Sequence, residues 1–388
     1  MNNRTICKVK NCVLWLSLST IVIGCGEFTI REPDTREAVI ERNIGSTIII
    51  DGKEYKNSVL PFEQVTDDDI KYLADNHPNI RQIIFGYPFT GESVEYLTDE
   101  ALRHLGRLQS LESIKSLAGS SITDEGLTHL SGLKNLDGLD LRQTGITGVG
   151  LSHLKHLKEL GSLYLPTSLT AEGIDAISTL QHVRNLSIFC NQNFAPLSRM
   201  KSLDGLDILG VEVGTDYGWL PELTNLDKLF VSTTNGDVRR SFPFIGQMDR
   251  LLTLSISLPL TDEEIKPFVG CESLEEIYFA DCSLLTAEAV KAFEKMPRLK
   301  FLRLPGCQKE LVKGLMPLAD KRTLYSIDLS RSPIDDEVLP VLSQFSHLRY
   351  LYLSGTQISE DGCRQLYNSL EGRCKIQPSK GATLGDRR

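Results

Sequence analysis

Three histidines stand at near-constant spacing. His104, His129 and His153 each sit immediately before a leucine, and His156 follows one helical turn after the last. Imidazole is a common zinc ligand, so such a column raises metal chemistry. A zinc ion needs its ligands at about 2.1 Å, whereas equivalent residues on packed neighbouring helices belong to axes about 10 Å apart. The column therefore reads as duplication of a structural unit, and neither a metal nor another cofactor is expected. The cysteines follow the same logic. Cys271 and Cys363 take places filled by Leu in sister segments, where a thiol behaves as a small hydrophobe, and Cys190 lies just after an apolar run. Cys282 and Cys307 share one turn position in successive segments, and Cys363 and Cys374 lie close to the C-terminal end. Either pair could bridge in an oxidising compartment, and hydrogen-bonding thiols are the expected state.

No serine elbow, phosphate-cradling glycine loop or spaced metal cluster appears, and Gly145 to Gly150 falls inside a repeating pattern. No nucleophile can be placed beside a base, so the chain is read as a binder and not as an enzyme. Its 41% hydrophobic and 24% charged content is that of a globular protein. A net charge of −9 with no dense Lys/Arg run excludes a general nucleic-acid binder, because phosphate attraction needs a basic patch.

The elements that would position any binding residues are set by self-similarity. The spacing L-x-x-L-x-L recurs at Leu136/Leu139/Leu141, Leu160/Leu163/Leu165, Leu251/Leu254/Ile256, Leu299/Leu302/Leu304 and Leu348/Leu351/Leu353, with equivalents between them. Starts lie 20 to 25 residues apart, and with looser copies at Ile80/Ile83/Phe85 and Leu111/Ile114 there are about 12 units. Behind each short alternating run the apolar period lengthens, as in Ile146, Leu151, Leu154 and Leu157 after Leu141, which is strand followed by helix. Thr98-Asp99-Glu100, Thr123-Asp124-Glu125 and Thr261-Asp262-Glu263 have the composition of helix starts, a hydroxyl to accept first-turn amides and acids at the positive dipole end. From Cys190 to Phe244 these helix signals fade, and irregular or 3₁₀ segments are expected there.

The extended pattern L-x-x-L-x-L-x-x-(N/C/T)-x-I-(T/S)-D-x-G-L-x-x-L resembles the leucine-rich-repeat family, in the helix-bearing bacterial type of about 24 residues per repeat. The resemblance covers nearly 300 residues of the chain. It implies an α/β solenoid, a horseshoe with a parallel concave sheet and convex helices, that binds a protein or peptide, with a glycan or cell-wall polymer as the alternative ligand. It also implies that the small turn residues Thr144, Ser168, Asn191, Thr234, Cys282, Cys307, Ser332 and Thr356 bond the backbone of a neighbouring turn. Val211 and Pro259 depart from that position.

The front of the chain has a different character. Arg4, Lys8 and Lys10 precede an apolar stretch from Cys12 to Ile23. That is an export-signal pattern, too short for the roughly 20 residues of a membrane-spanning helix. Its end, Val22-Ile23-Gly24-Cys25, resembles a bacterial lipobox, which implies lipidation of Cys25 and an exported protein anchored to a bacterial membrane at the cell envelope; an ordinary cleaved signal and an uncleaved anchor are the other readings. The expected organisation is a signal peptide over 1–24, a tether over 25–44, an N-terminal cap over 45–78, the solenoid over 79–374 and a polar tail over 375–388. A loop from Phe85 to Leu97 interrupts the rhythm near the front and is a candidate for recognition.

If the second and third leucines of each unit point inward, the residues flanking them line the opposite face. From front to back the central position reads Ile84, Lys115, Asp140, Tyr164, Ser187, Asp207, Phe230, Ser255, Tyr278, Arg303, Asp328 and Tyr352, with Phe189, Phe301 and Tyr350 beside it. Aromatic residues are only 7% of the chain, so their density here selects Tyr164, Phe230, Tyr278, Phe301, Arg303, Tyr350 and Tyr352 as candidate ligand-binding residues, with a hot spot at Phe230, Tyr278, Phe301 and Arg303. Rings also favour strands for packing alone.

Overall fold

The computed structural model describes residues 44–50, 53–60, 65–85, 96–189, 193–210, 217–232 and 242–378, the first two segments as backbone strands. Cys25 and the signal segment, the loop over 86–95, Cys190, Asn191, Val211 and Thr234 lie outside the described residues.

The strands are β1 (Ile44–Ile50), β2 (Lys53–Leu60), β3 (Gln82–Phe85), β4 (Ser113–Lys115), β5 (Gly138–Asp140), β6 (Ser162–Tyr164), β7 (Asn185–Phe189) and β8 (Gly205–Leu209). They continue as β9 (Lys228–Val231), β10 (Thr253–Pro259), β11 (Glu276–Asp281), β12 (Phe301–Arg303), β13 (Ser326–Asp328), β14 (Tyr350–Tyr352) and β15 (Lys375–Gln377). All belong to one open sheet in strict sequence order. β1 pairs antiparallel with β2, closing on the register Ile50 to Lys53, and from β2 onward each strand runs parallel to the next. The first helix among the described residues, Asp67–Asn76, starts at Thr66, where Asp69 Oδ2 takes both the Thr66 amide and hydroxyl at 2.8 Å. At the other end the sheet reaches Gln377, so three residues read from their polarity as tail are the last strand.

Each strand aligns its second leucine with that of its neighbours: Leu139 faces Leu163, Leu229 faces Leu254, Ile277 faces Leu302 and Leu351 faces Ile376. These side chains and their partners from the helical side are fully buried and form one continuous cluster from Val65 to Ile376. The unit without a recognisable third leucine has one extra residue there. Ser116, with φ of +65°, absorbs it and lets Leu117 reach the core instead.

The helical side is more varied than the periodicity predicts. α-Helical turns form at Asp99–Leu105 and Ala171–Ile177, while Gly126–Leu130 and Val149–Leu154 are 3₁₀ helices despite their helix-like sequence. The stretch with faded signals carries 3₁₀ turns at Ala195–Arg199, Leu220–Glu222 and Pro243–Gln247, each with a proline in its first turn. From its end onward phenylalanines fill the interior: Phe242, Phe268, Phe279 and Phe293 follow one another with centroids 6.4 to 6.5 Å apart.

The acids at the unit starts do more than complement a dipole. Five aspartates reach forward into the next unit, each accepting both the amide and the hydroxyl of a Thr or Ser there. Asp67 does so to Thr98 at 2.9 and 2.6 Å, Asp99 to Thr123 at 2.7 and 2.6 Å, Asp262 to Thr286 at 2.9 and 2.6 Å, and Asp336 to Ser359 at 2.8 and 2.6 Å. Asp124 takes four donors, the Thr147 amide and hydroxyl at 2.8 Å and the amides of Gly148 and Gly150 at 3.0 and 2.8 Å. This ladder explains the glycine of D-x-G-L, since a Cβ on Gly150 would lie 2.0 Å from the Asp124 carbonyl oxygen.

At the turns, Gln143, Gly306, Arg331 and Gly355 adopt φ between +57° and +77° and set the next small residue inward. Ser168 donates to the preceding turn, at Ile146 O 2.7 Å away, as the resemblance implies. Thr144 and Thr356 instead bond their own turns, to Leu141 O and Leu353 O at 2.7 Å. Cys307 Sγ meets Ser332 Oγ at 3.3 Å, and Cys271, Cys282, Cys307, Cys363 and Cys374 are all buried free thiols.

Burial opposes ionisation of Asp124, but the bonds from Gly150, Thr147 and Gly148 outweigh it and hold the carboxyl below its ordinary range. Asp124→Ala should therefore cost about 1–3 kcal/mol, and Asp124→Asn less, read as urea midpoints. A depressed carboxyl contributes stability that is complete above its unfolded pKa of about 4 and lost as pH falls through the folded value, so the gap to wild type should close in acid. An unchanged midpoint for Asp124→Ala at neutral pH would show that the ladder adds nothing to cohesion.

Candidate ligand-binding face

Because strand side chains alternate, the buried leucines fix which residues face away from the core. In the central column, register places Asp140 beside Tyr164, Tyr164 beside Ser187, Ser187 beside Asp207, and Asp207 beside Phe230. The column continues through Ser255, Tyr278, Arg303 and Asp328 to Tyr352. Most of these side chains are half-buried, with the strand neighbours covering their flanks and their outer ends reaching solvent.

The candidate residues separate into a front, a centre and a rear. In front, Arg142 grips Asp140 with Nε at 2.9 Å and a terminal nitrogen at 2.7 Å, and its guanidinium carbon lies 5.0 Å from the Tyr164 ring centroid. Burial raises the Tyr164 hydroxyl, while burial also lowers the Lys115 ammonium one strand away. Arg142 was not selected from the sequence, although it follows β5 and keeps the parity of Asp140.

At the centre, Phe230 lies between Asp207 and Ser255, separated by that serine from Tyr278. Asp207 accepts Ser187 Oγ at 3.4 Å. Burial raises its carboxyl to about 6, against the Ser187 bond and the more distant charge of Arg142.

The rear brings together five of the seven candidates on β11, β12 and β14. Tyr278 donates to Glu276 Oε2 at 3.0 Å, and burial followed by that carboxylate pushes its phenol up. Arg303 Nε lies 3.0 Å from Asp328 Oδ2. Phe301 is one register position over, beside Glu276 and Ser326, and Tyr350 follows on the far side of Ser326. Tyr350 is 39% exposed, among the most open large apolar side chains in the described residues. Tyr325, which alternation would have turned inward, instead packs edge-on against Phe301 at 4.5 Å because it precedes the start of β13. Register thus groups Tyr278, Phe301 and Arg303, whereas Phe230 stands apart and Tyr164 belongs to the Arg142 cluster.

Among the described residues no group of three His, Cys, Asp or Glu side chains could hold a metal ion. His104 is buried and its Nε2 lies 3.2 Å from Glu100 Oε1 on its own helix, which gives that member of the histidine column a structural partner.

No family model matches the chain. Among solved structures it is similar to an internalin (inlF) of Listeria monocytogenes, at 20% identity and a TM-score of 0.49 over 82% of this chain and 90% of that one. An internalin C2 of the same organism aligns at 22% identity and 0.37, over 55% and 84% of the two chains. A leucine-rich-repeat protein of Leptospira interrogans aligns at 15% and 0.46, over 90% and 100%.

The raised Asp207 carboxyl implies a stability cost at neutral pH. Its folded pKa of about 6 exceeds the unfolded value near 3.9, so between them the folded state holds more protons and stability falls as pH rises. Asp207→Asn should stabilise the chain at neutral pH by roughly 1–3 kcal/mol, with the gain vanishing below pH about 4. Equal melting temperatures for wild type and variant across that range would remove the buried-charge assignment.

Proposed function

We propose that this chain, a leucine-rich-repeat solenoid by its strand register and repeat spacing, docks a protein or peptide across its concave sheet. The rear cluster of Tyr278, Phe301, Arg303, Tyr350 and Tyr352 is the anchor. The supporting observation is the concentration of rings and a guanidinium on β11, β12 and β14, whose backbones are locked by parallel pairing through β13. Such side chains offer large rigid area with a polar edge, and a strand scaffold holds them without loop ordering on binding. The mode is binding, without catalysis, cofactor or nucleic acid. A glycan is the second reading, favoured by the Tyr278 ring beside the Glu276 carboxylate, since rings stack on sugar faces and acids accept hydroxyls.

The reading extends to location. The chain is exported, and Cys25 is acylated to hold the arc at the envelope of a bacterium, supported by the Val22-Ile23-Gly24-Cys25 motif behind a short apolar stretch. One acyl chain binds a bilayer marginally, so lasting retention requires the several chains that such a motif implies.

Two measurements test these statements. A partner is captured from envelope extract with the mature protein, with glycan arrays in parallel. Tyr278→Ala and Arg303→Ala are then compared with Lys155→Ala and Glu159→Ala, two exposed residues on the helical side. Losses above about 1 kcal/mol are expected for the concave pair alone, and equal effects on both faces would refute the docking face. For the anchor, labelled palmitate should enter the wild type and not Cys25→Ala, which should also leave the membrane fraction; labelling that persists in the variant would exclude acylation at Cys25.

A further inference from the structure

The three aspartates of the central column differ in one respect. Asp140 is gripped by Arg142, with Lys115 a strand away, and Asp328 has Arg303 at 3.0 Å while also taking the Ser330 amide at 2.9 Å. Asp207 has one long hydrogen bond, from Ser187 at 3.4 Å, and among the described residues no Lys, Arg or His nitrogen lies within the 4.0 Å of an ion pair. Its lateral neighbours are a small hydroxyl on β7 and the Phe230 ring on β9.

We propose that Asp207 anchors a cation-recognition subsite on the concave face, taking a lysine or arginine side chain of a docked basic peptide segment, with Phe230 as its aromatic wall. This rests on the reading that a polypeptide docks on that face, and it names the chemistry of one contact. A carboxylate is acceptor-only, so the lone pairs that Ser187 leaves open call for N–H donors. Strands lie about 4.8 Å apart, so the serine between Tyr164 and Asp207 leaves a gap of roughly two strand spacings above it, wide enough for an alkyl stem. The Phe230 face adds cation–π attraction and covers the stem. Arg142 cannot fill the role, because its fork is already committed to Asp140. The chain's net charge of −9 complements a basic partner. The raised Asp207 carboxyl agrees: the fold carries a desolvated charge that no described side chain neutralises, which is expected where an incoming group does so.

The probe is a set of nonapeptide pools, randomised except for a central Lys, Arg, Gln or Glu, passed over the immobilised full chain. Near neutral pH the Lys and Arg pools should be retained about tenfold better than the Gln and Glu pools, the size of a charge-assisted contact. Asp207→Asn, nearly isosteric, should abolish that preference while melting no lower than wild type. Among the described residues the charged and titratable groups facing Asp207 are Arg142 and Tyr164, from the β5 and β6 side, and neither titrates in mild acid. Wild-type preference should therefore shrink at pH about 5 as the carboxylate takes up a proton. As a check that needs no variant, zero-length carbodiimide coupling of the retained Lys pool should map to Asp207 and not to Asp140 or Asp328. A wild type that does not prefer Lys or Arg, or a preference that survives Asp207→Asn, overturns the subsite. In either case retention that is lost in Tyr278→Ala leaves concave docking standing, and retention indifferent to both substitutions removes docking as well.

Discussion

The inward leucine stripe is the constraint on which the other features depend. A strand of three residues such as Gly138–Asp140 and a single helical turn cannot bury the apolar faces they present, so each unit is folded only because a neighbour covers it. This fixes the parallel order of the sheet, since identical units stacked by translation must run the same way. It also requires terminal structures, and the β1–β2 pair and the helix Asp67–Asn76 stand at the front, where the first full unit would otherwise be open.

Nearest-neighbour packing leaves polar edges that must match as well. The aspartate ladder on one side and the left-handed turn residues on the other answer that need in different ways. Asp99, Asp124, Asp262 and Asp336 pair one unit's first turn to the next, so the register of the helical side is set by hydrogen bonds and not by apolar contact alone. The same close approach excludes any side chain at Gly150. Between Thr170 and Thr261 no aspartate among the described residues makes such a rung, and the helical side carries proline-started 3₁₀ turns.

Since cohesion resides in the core and the ladder, the outward column is released from packing duty and free to vary. Its composition shows two economies. Asp140 with Arg142 and Asp328 with Arg303 are internally neutralised, so those acids add little field to the surface. Asp207 has no such cation among the described residues, and burial opposes its charge. A buried carboxylate that costs stability and takes one long hydrogen bond from Ser187 is a group for which an external partner is the simplest physical account.

Most of the architecture was legible from residue spacing. A period that changes from two to three or four, repeated about 12 times, admits only strand and helix stacked in order, and the alternation of Leu139 with Asp140 and Leu163 with Tyr164 assigned the faces. Spacing could not decide the helix type at Gly126–Leu130 and Val149–Leu154, because α and 3₁₀ turns share the same apolar positions and differ only in how tightly neighbours press. Nor could it place Lys375–Gln377, whose polarity suits an edge strand as well as a tail. Within the candidate face the sequence chose residue types, but their grouping needed register in three dimensions. Tyr325 joined Phe301 from a position of the wrong parity, Arg142 covered Tyr164, and only the pairing of charges across strands showed which aspartate has no cation beside it among the described residues. Alternation is a local property that a chain carries in one dimension, whereas neutralisation depends on what lies one strand away, about 24 residues along the chain.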